Sequence, residues 1–266
     1  MNWWTQQSVA FARQRNYLDE LYKVYPITPN LRRELSDKKI VCIKESFDRR
    51  DNVALVSALL DLELFPLKDS YVAYLKRDRT SIERNPETVN RLAGNLYQMG
   101  FDMIVERCTE PKETNRQIGP MFKRWVDKGT LGAVVFKDAR DFLKCDYNCI
   151  LNVSDGEMKR FAQEYLGYSR NKGLDFVAKF NRKYVIAEAK FLTDFGGHQN
   201  AQFADAVSTM QTSFTHKKVD NEVVPIAVMD GVLYIRGNNK MFRYLKENPD
   251  KVIVSALLLR EFLYSL

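Results

Sequence analysis

Gly173-Leu174-Asp175-Phe176-Val177-Ala178-Lys179-Phe180-Asn181-Arg182-Lys183-Tyr184-Val185-Ile186-Ala187-Glu188-Ala189-Lys190 is the stretch from which the rest of the chain is read. Residues 174–180 and 183–191 are short β-like runs, and Asn181-Arg182 between them has the length of a tight two-residue turn. Such a turn pairs Phe180 with Lys183, and counting back along both strands sets Asp175 opposite Glu188. Directly paired positions hold their Cβ atoms about 4.5–5.5 Å apart. Side chains alternate along a strand, so Tyr184, Ile186, Glu188 and Lys190 share one face, and Asp175 joins it. Two carboxylates and an ammonium group therefore converge from neighbouring strands.

Carboxylates this close repel unless positive charge lies between them. A divalent cation resolves the conflict, and Mg2+ suits a few carboxylates, several waters and a phosphate oxygen. Such an ion polarises a scissile phosphate and lowers the pKa of a bound water. Lys190 could then orient or deprotonate the attacking water. These residue types point to phosphodiester hydrolysis, with Asp175, Glu188 and Lys190 as the catalytic centre. An acid two residues before a lysine also occurs at Asp37/Lys39, Glu110/Lys112 and Glu157/Lys159, but none of these closes an apolar β run with an upstream Asp at hairpin distance. The plain alternative is a solvated pair on an edge strand. Val185, Ile186, Ala187 and Ala189 speak against it, because charges in an apolar strand are costly unless paired or metal-bound.

Outward from the hairpin, the pattern is mixed α/β: a central sheet flanked by helices, with a mostly helical region before it. Ser154-Asp155-Gly156-Glu157 is a capping box for a helix ending near Leu166. Gly196-Gly197 precedes a helix over about 200–212. Residues 223–229 and 232–235 read as two strands joined by a hairpin turn at Asp230-Gly231. A helix at 239–247, a strand at 252–254 and a helix at 256–264 follow. The region 1–152 is expected to be mostly helical and 153–266 to form the α/β core. In the former, residues 5–24 show one helical periodicity through Val9, Phe11, Ala12, Leu18 and Leu21. Asn85-Pro86-Glu87 opens a helix that Gly100 stops, and another opens near Thr114 or Asn115.

The 266 residues are 45% hydrophobic, enough for a substantial core. A net charge of +7 fits a phosphate-rich partner, although many basic proteins bind no nucleic acid. Cys42, Cys108, Cys145 and Cys149 have no zinc-site spacing and read as reduced thiols. The N-terminus lacks signal-peptide character and no segment offers ~18 apolar residues in a row, so the expectation is a soluble, cytoplasmic protein without membrane association.

Gly173-Leu174-Asp175-Phe176 with Ala187-Glu188-Ala189-Lys190 resembles the signature of the PD-(D/E)xK nuclease superfamily, with Leu174 where the motif has Pro. Asn115-Arg116-Gln117-Ile118-Gly119-Pro120 and Phe195-Gly196-Gly197-His198-Gln199-Asn200 resemble segments of type II restriction endonucleases. The resemblance covers residues 110–266 in detail and the N-terminal part loosely. It implies a restriction-endonuclease-like core over 153–266, and Mg2+ bound by Asp175, Glu188 and the main-chain carbonyl of Ala189, with Lys190 serving the water. Some members add an acid from the preceding helix, and Glu164 or Glu157 could fill that place; a helix-surface acid, and for Glu157 the capping role, explains them as well.

Gln and Asn side chains can read adenine bidentately and Arg can read guanine. Gln199, Asn200, Gln202 and His198 are therefore candidate DNA contacts, though a loop capping the next helix through Asn200 accounts for them equally. Asn115, Arg116, Gln117, Lys123 and Arg124 form a second candidate surface, with a solvated face as the alternative, so the helical region 1–152 could also touch DNA. The implied activity is sequence-specific cleavage of double-stranded DNA leaving 5′-phosphate ends. A palindromic site would require a homodimer, and a cognate methyltransferase is expected as a genetic rather than physical partner. A structure-specific repair or recombination nuclease of the same fold, or a non-catalytic DNA-binding protein, are the alternatives.

Overall fold

The computed structural model describes residues 1–26, 32–111 and 114–266, except the side chains of 114–116. Two compact units form, one from Met1–Ile27 with Thr114–Leu266, the other from Thr28–Glu113. The division expected at 152 falls within the first of these units. In the first unit, α1 (Trp3–Phe11) and α2 (Tyr17–Val24) stand where one helix was expected over 5–24. The chain breaks at Asn16, whose φ of 73° is left-handed. The new helix direction buries Tyr17, Leu21 and Val24 while Leu18 stays 69% exposed.

In the second unit the described helices are α3 (Asp37–Asp48), α4 (Asn52–Leu60), α5 (Ser70–Arg77), α6 (Ser81–Arg84), α7 (Pro86–Met99) and α8 (Phe101–Cys108). They pack around Ile43, Leu55, Leu59, Leu92, Leu96 and Ile104. As expected, α7 has Pro86 in its first turn and ends at Gly100, where φ is 83°. Residues 28–113 carry equal numbers of acidic and basic side chains, so the whole surplus of +7 belongs to the other unit.

That unit continues with α9 (Thr114–Asp127), β1 (Val134–Phe136), α10 (Ala139–Lys144), β2 (Cys149–Leu151), α11 (Asp155–Tyr165), β3 (Phe176–Phe180), β4 (Lys183–Leu192), α12 (Gly197–Met210), β5 (Val223–Gly231), α13 (Lys240–Glu247), β6 (Ile253–Val254) and α14 (Leu259–Tyr264). The described strands form one sheet in chain order, β1 to β6. Only the β2–β3 and β3–β4 pairs are antiparallel. β1 and β2 lie in the region expected to be mostly helical; three residues each are too few to display an alternation. The capping box at Ser154 and Glu157 is present.

The β3–β4 register runs from Phe180↔Lys183 to Phe176↔Ala187, as the turn length required. Asn181 and Arg182 have φ of 48° and 63°, the paired left-handed residues of a type I′ turn. On one face of β4, Val185, Ala187 and Ala189 join a core with Leu21, Ile118, Phe122 and Val126. On the other, Tyr184 and Ile186 pack with Phe142, Met158 and Phe161. No described helix is long and apolar enough to cross a membrane. The four cysteines are free, Cys42 exposed and the others buried.

The hairpin expected at Asp230-Gly231 is a different structure. β5 runs unbroken to Gly231, parallel to β4, and a 3-10 turn (Val232–Tyr234) follows. Gly231 has φ 97°, and a Cβ there would lie 2.0 Å from the Leu192 carbonyl oxygen, so close strand approach demands the glycine. Asp230 is fully buried and accepts hydrogen bonds from the hydroxyls of Tyr17, Tyr25 and Ser255 and from the Ala256 amide. A pattern that usually marks an exposed turn here ties α2, the residue after it and the C-terminal segment to the sheet.

Burial pushes the Asp230 carboxyl from 3.8 up to about 6, against the lowering influence of its four donors. Between those values the folded protein binds more protons than the unfolded chain, so this group's stabilisation is complete below about 3.8 and is lost as pH rises through 6. Urea unfolding of wild type and Asp230→Asn from pH 7.5 to 4 should show the wild type gaining on the variant by up to roughly 3 kcal/mol as pH falls. Parallel pH profiles would contradict this.

Candidate active site

The β3–β4 ladder ends at Phe176, and the next residue, Asp175, points its carboxylate at the opposite strand. Its Oδ2 accepts from the Ala189 amide at 2.8 Å and from Lys190 Nζ at 2.8 Å. Lys190 Nζ also lies 2.8 Å from Glu188 Oε2. The ammonium therefore bridges the two carboxylates, and the expected trio is assembled. Glu188 is only 1% exposed. Burial, the largest single influence on Lys190, works against its charge, but the combined attraction and hydrogen bonding of Asp175 and Glu188 raises its pKa above the usual lysine value. Lys190 is thus a firmly protonated cation here.

Asp175, Ala189, Lys190 and Phe191 line a cleft of about 130 Å³ with Ile118 and Gly119 of α9 and Gln202 of α12. It opens near the carboxyl end of β4, beside its parallel partner β5, where open α/β sheets bind ligands. Two roomier grooves, of about 610 and 880 Å³, contain none of the three charged residues.

Among the described residues no three His, Cys, Asp or Glu side chains converge as a metal-binding group. An ion at this site would rest on two carboxylates, backbone and water, which is the ligand economy of Mg2+. The Lys190 ammonium shows that a single cation can reach both carboxylates at once. Glu164 is not among them: it faces Lys218 at 3.2 Å on the protein surface. Glu157 is spent on the Ser154 cap.

The candidate DNA contacts divide. Gln202 faces the cleft and its Nε2 lies 3.0 Å from His198 Nε2, which is exposed. Gln199 is buried and bound through both ends of its amide to Thr193. Asn200 folds back onto the Phe195 and Gly196 carbonyls, and the helix cap is Gly196, not Asn200. Lys123 is held by the Val153 carbonyl and by Asp155. Arg124 is exposed and Gln117 half-buried on α9. The side chains of Asn115 and Arg116 lie outside the described residues.

A protein-family model described as Tsp45I type II restriction enzyme matches residues 2–266. The chain belongs to that family. Membership makes it a site-specific deoxyribonuclease whose substrate is DNA, and the family description covers both compact units. No curated protein and no solved structure matched the chain. For a restriction enzyme of this family, Ile118 and Gly119 in the cleft lie in a segment that the resemblance had already singled out, whereas the neighbours of the cluster that hairpin spacing left unseen are Arg170, Lys172 and Thr209 around Glu188. Only the spacing of Asp205 and Thr209 on one face of α12 hinted at them.

Gln199 and Gln202 should behave oppositely on substitution. Gln199→Ala removes two partly buried hydrogen bonds and should cost about 1–2 kcal/mol of stability in urea unfolding. Gln202→Ala should stay within about 0.5 kcal/mol of wild type while lowering the rate of DNA cleavage. Reversed effects would contradict this placement.

Proposed function

We propose that the chain cuts both strands of duplex DNA at a short specific sequence by Mg2+-dependent hydrolysis, leaving 5′-phosphate and 3′-hydroxyl ends. The observation that carries this reading is the ammonium of Lys190 shared by Asp175, which with it lines the cleft, and the buried Glu188. Asp175, Glu188 and the Ala189 carbonyl are the groups that would hold the ion. When bound, Mg2+ supplies polarisation of the phosphate and a water of lowered pKa. Lys190, protonated, gives N–H donors to the attacking water or a phosphate oxygen and offsets the charge that builds on phosphorus. Asp175 keeps its orientation through the Ala189 amide while it does so.

The surplus positive charge of the unit containing the sheet favours the phosphate backbone, and counterion release makes such binding salt-dependent. Gln202, His198 and Arg124 are the side chains best placed to meet DNA, with Asn115, Arg116 and Gln117 as further candidates on α9. Gln199, Asn200 and Lys123 act by holding the backbone that presents them. A two-fold symmetric target calls for a homodimer, each copy bringing one cleft to one strand. The setting is the cytoplasm, beside a methyltransferase that protects the same sequence.

Plasmid DNA incubated with the protein and Mg2+ should give discrete bands with ligatable 5′-phosphate ends, and chelation should abolish them. Asp175→Asn, Glu188→Gln and Lys190→Met should each lower cleavage by more than about 100-fold, beyond the usual cost of an outer-shell change. Their binding to the same DNA in a gel-shift assay should persist. Full cleavage by any of the three would remove it from the catalytic centre, and structure-dependent nicking without discrete bands would overturn sequence specificity.

A further inference from the structure

Glu188 is nearly sealed from solvent, so protein groups rather than water must orient its carboxylate. Oε2 has Lys190. Oε1 accepts from the hydroxyl of Thr209, fully buried on α12, at 3.2 Å. That hydroxyl has one proton and two acceptors within reach, Glu188 Oε1 and the Asp205 carbonyl at 3.3 Å. Arg170 decides between them. Its Nη1 donates to Thr209 Oγ1 at 2.9 Å and to the Asp205 carbonyl at 3.3 Å. The carbonyl is thereby supplied, and the hydroxyl, polarised by the guanidinium, is directed to the charged acceptor. Lys172 adds a second cation, 2.6 Å from Asp205 and 3.8 Å from Glu188 Oε1.

The buried Tyr168 hydroxyl lies beside Thr209 and Glu188. Burial raises its pKa first, Glu188 adds to that, and Thr209 and Arg170 oppose it, so it stands beside the same group. Tyr168, Arg170 and Lys172 belong to the segment that leads into Asp175. That segment is stitched to the end of α12 by the Tyr168↔Phe214 bridge and by Ser169 against Thr212 and Ser213. One short stretch thus places both carboxylates.

We propose that Thr209, aligned by Arg170, is a positioning residue that sets Glu188 for the divalent cation. This rests on the reading of Asp175 and Glu188 as metal ligands. The test is Mn2+ binding to the full-length metal-free protein, followed by electron paramagnetic resonance, alongside plasmid cleavage kinetics. Thr209→Val, which keeps the shape and removes the hydroxyl, should weaken Mn2+ binding about 10- to 100-fold. It should also lower kcat with little change in KM for DNA. Thr209→Ser, which keeps the hydroxyl, should remain close to wild type, and Arg170→Met should follow Thr209→Val. Unchanged Mn2+ affinity in Thr209→Val, or a Ser variant as impaired as the Val variant, would overturn the proposal. If Thr209→Val proves misfolded by circular dichroism, the Arg170→Met result decides. Asp175→Asn serves as the control: wild-type Mn2+ affinity in that variant would overturn the ligand assignment itself, and with it the role of Thr209.

Discussion

Two carboxylates held together by one ammonium group are the constraint around which this molecule is arranged. Asp175 and Glu188 face each other because a two-residue turn fixes the pairing of β3 and β4. In a partly desolvated cleft their repulsion is not weakened by water, so each arrangement of the site must include a cation. Lys190 fills that requirement here and gains a raised pKa from it.

The hairpin alone would not hold this geometry. Glu188 is anchored from α12 through Thr209, and Asp175 is reached through a segment that Arg170 and Lys172 fasten to the same helix. The start of α12 carries His198 and Gln202, so the helix that presents polar groups at the cleft is also the one that steadies the buried carboxylate. Positive charge is concentrated in the unit that contains these elements, whereas residues 28–113 are formally neutral. That division suits a DNA-cutting enzyme, in which phosphate attraction is needed where the backbone is cut.

The hairpin, its register, the capping box at Ser154 and the helix bounded by Pro86 and Gly100 were legible because each follows from spacing of a few residues. Local rules failed where distant groups competed with them. Asp230-Gly231 has the composition of a turn, but four donors from α2, its following residue and the C-terminal segment make the buried carboxylate part of a parallel strand. The break at Asn16 was hidden because apolar residues continue with helical spacing across it, and only the core shows that Leu18 lies on the outside. Gln199 and Asn200 resembled base-reading residues, yet the loop before α12 uses their amides to satisfy its own backbone and Thr193.

By itself the sequence determined that an Asp, a Glu and a Lys converge at the end of a tight hairpin, since strand alternation and turn length need no information from elsewhere in the chain. Tertiary structure alone decided what surrounds that centre. Thr209 meets Glu188, with Arg170 and Lys172 reaching the pair from the segment before Asp175, and Ile118 and Gly119 line the cleft, because α12 and α9 pack against the strand that carries Glu188. Such meetings depend on the burial of whole faces, a long-range balance that leaves no fixed spacing between the residues it brings together.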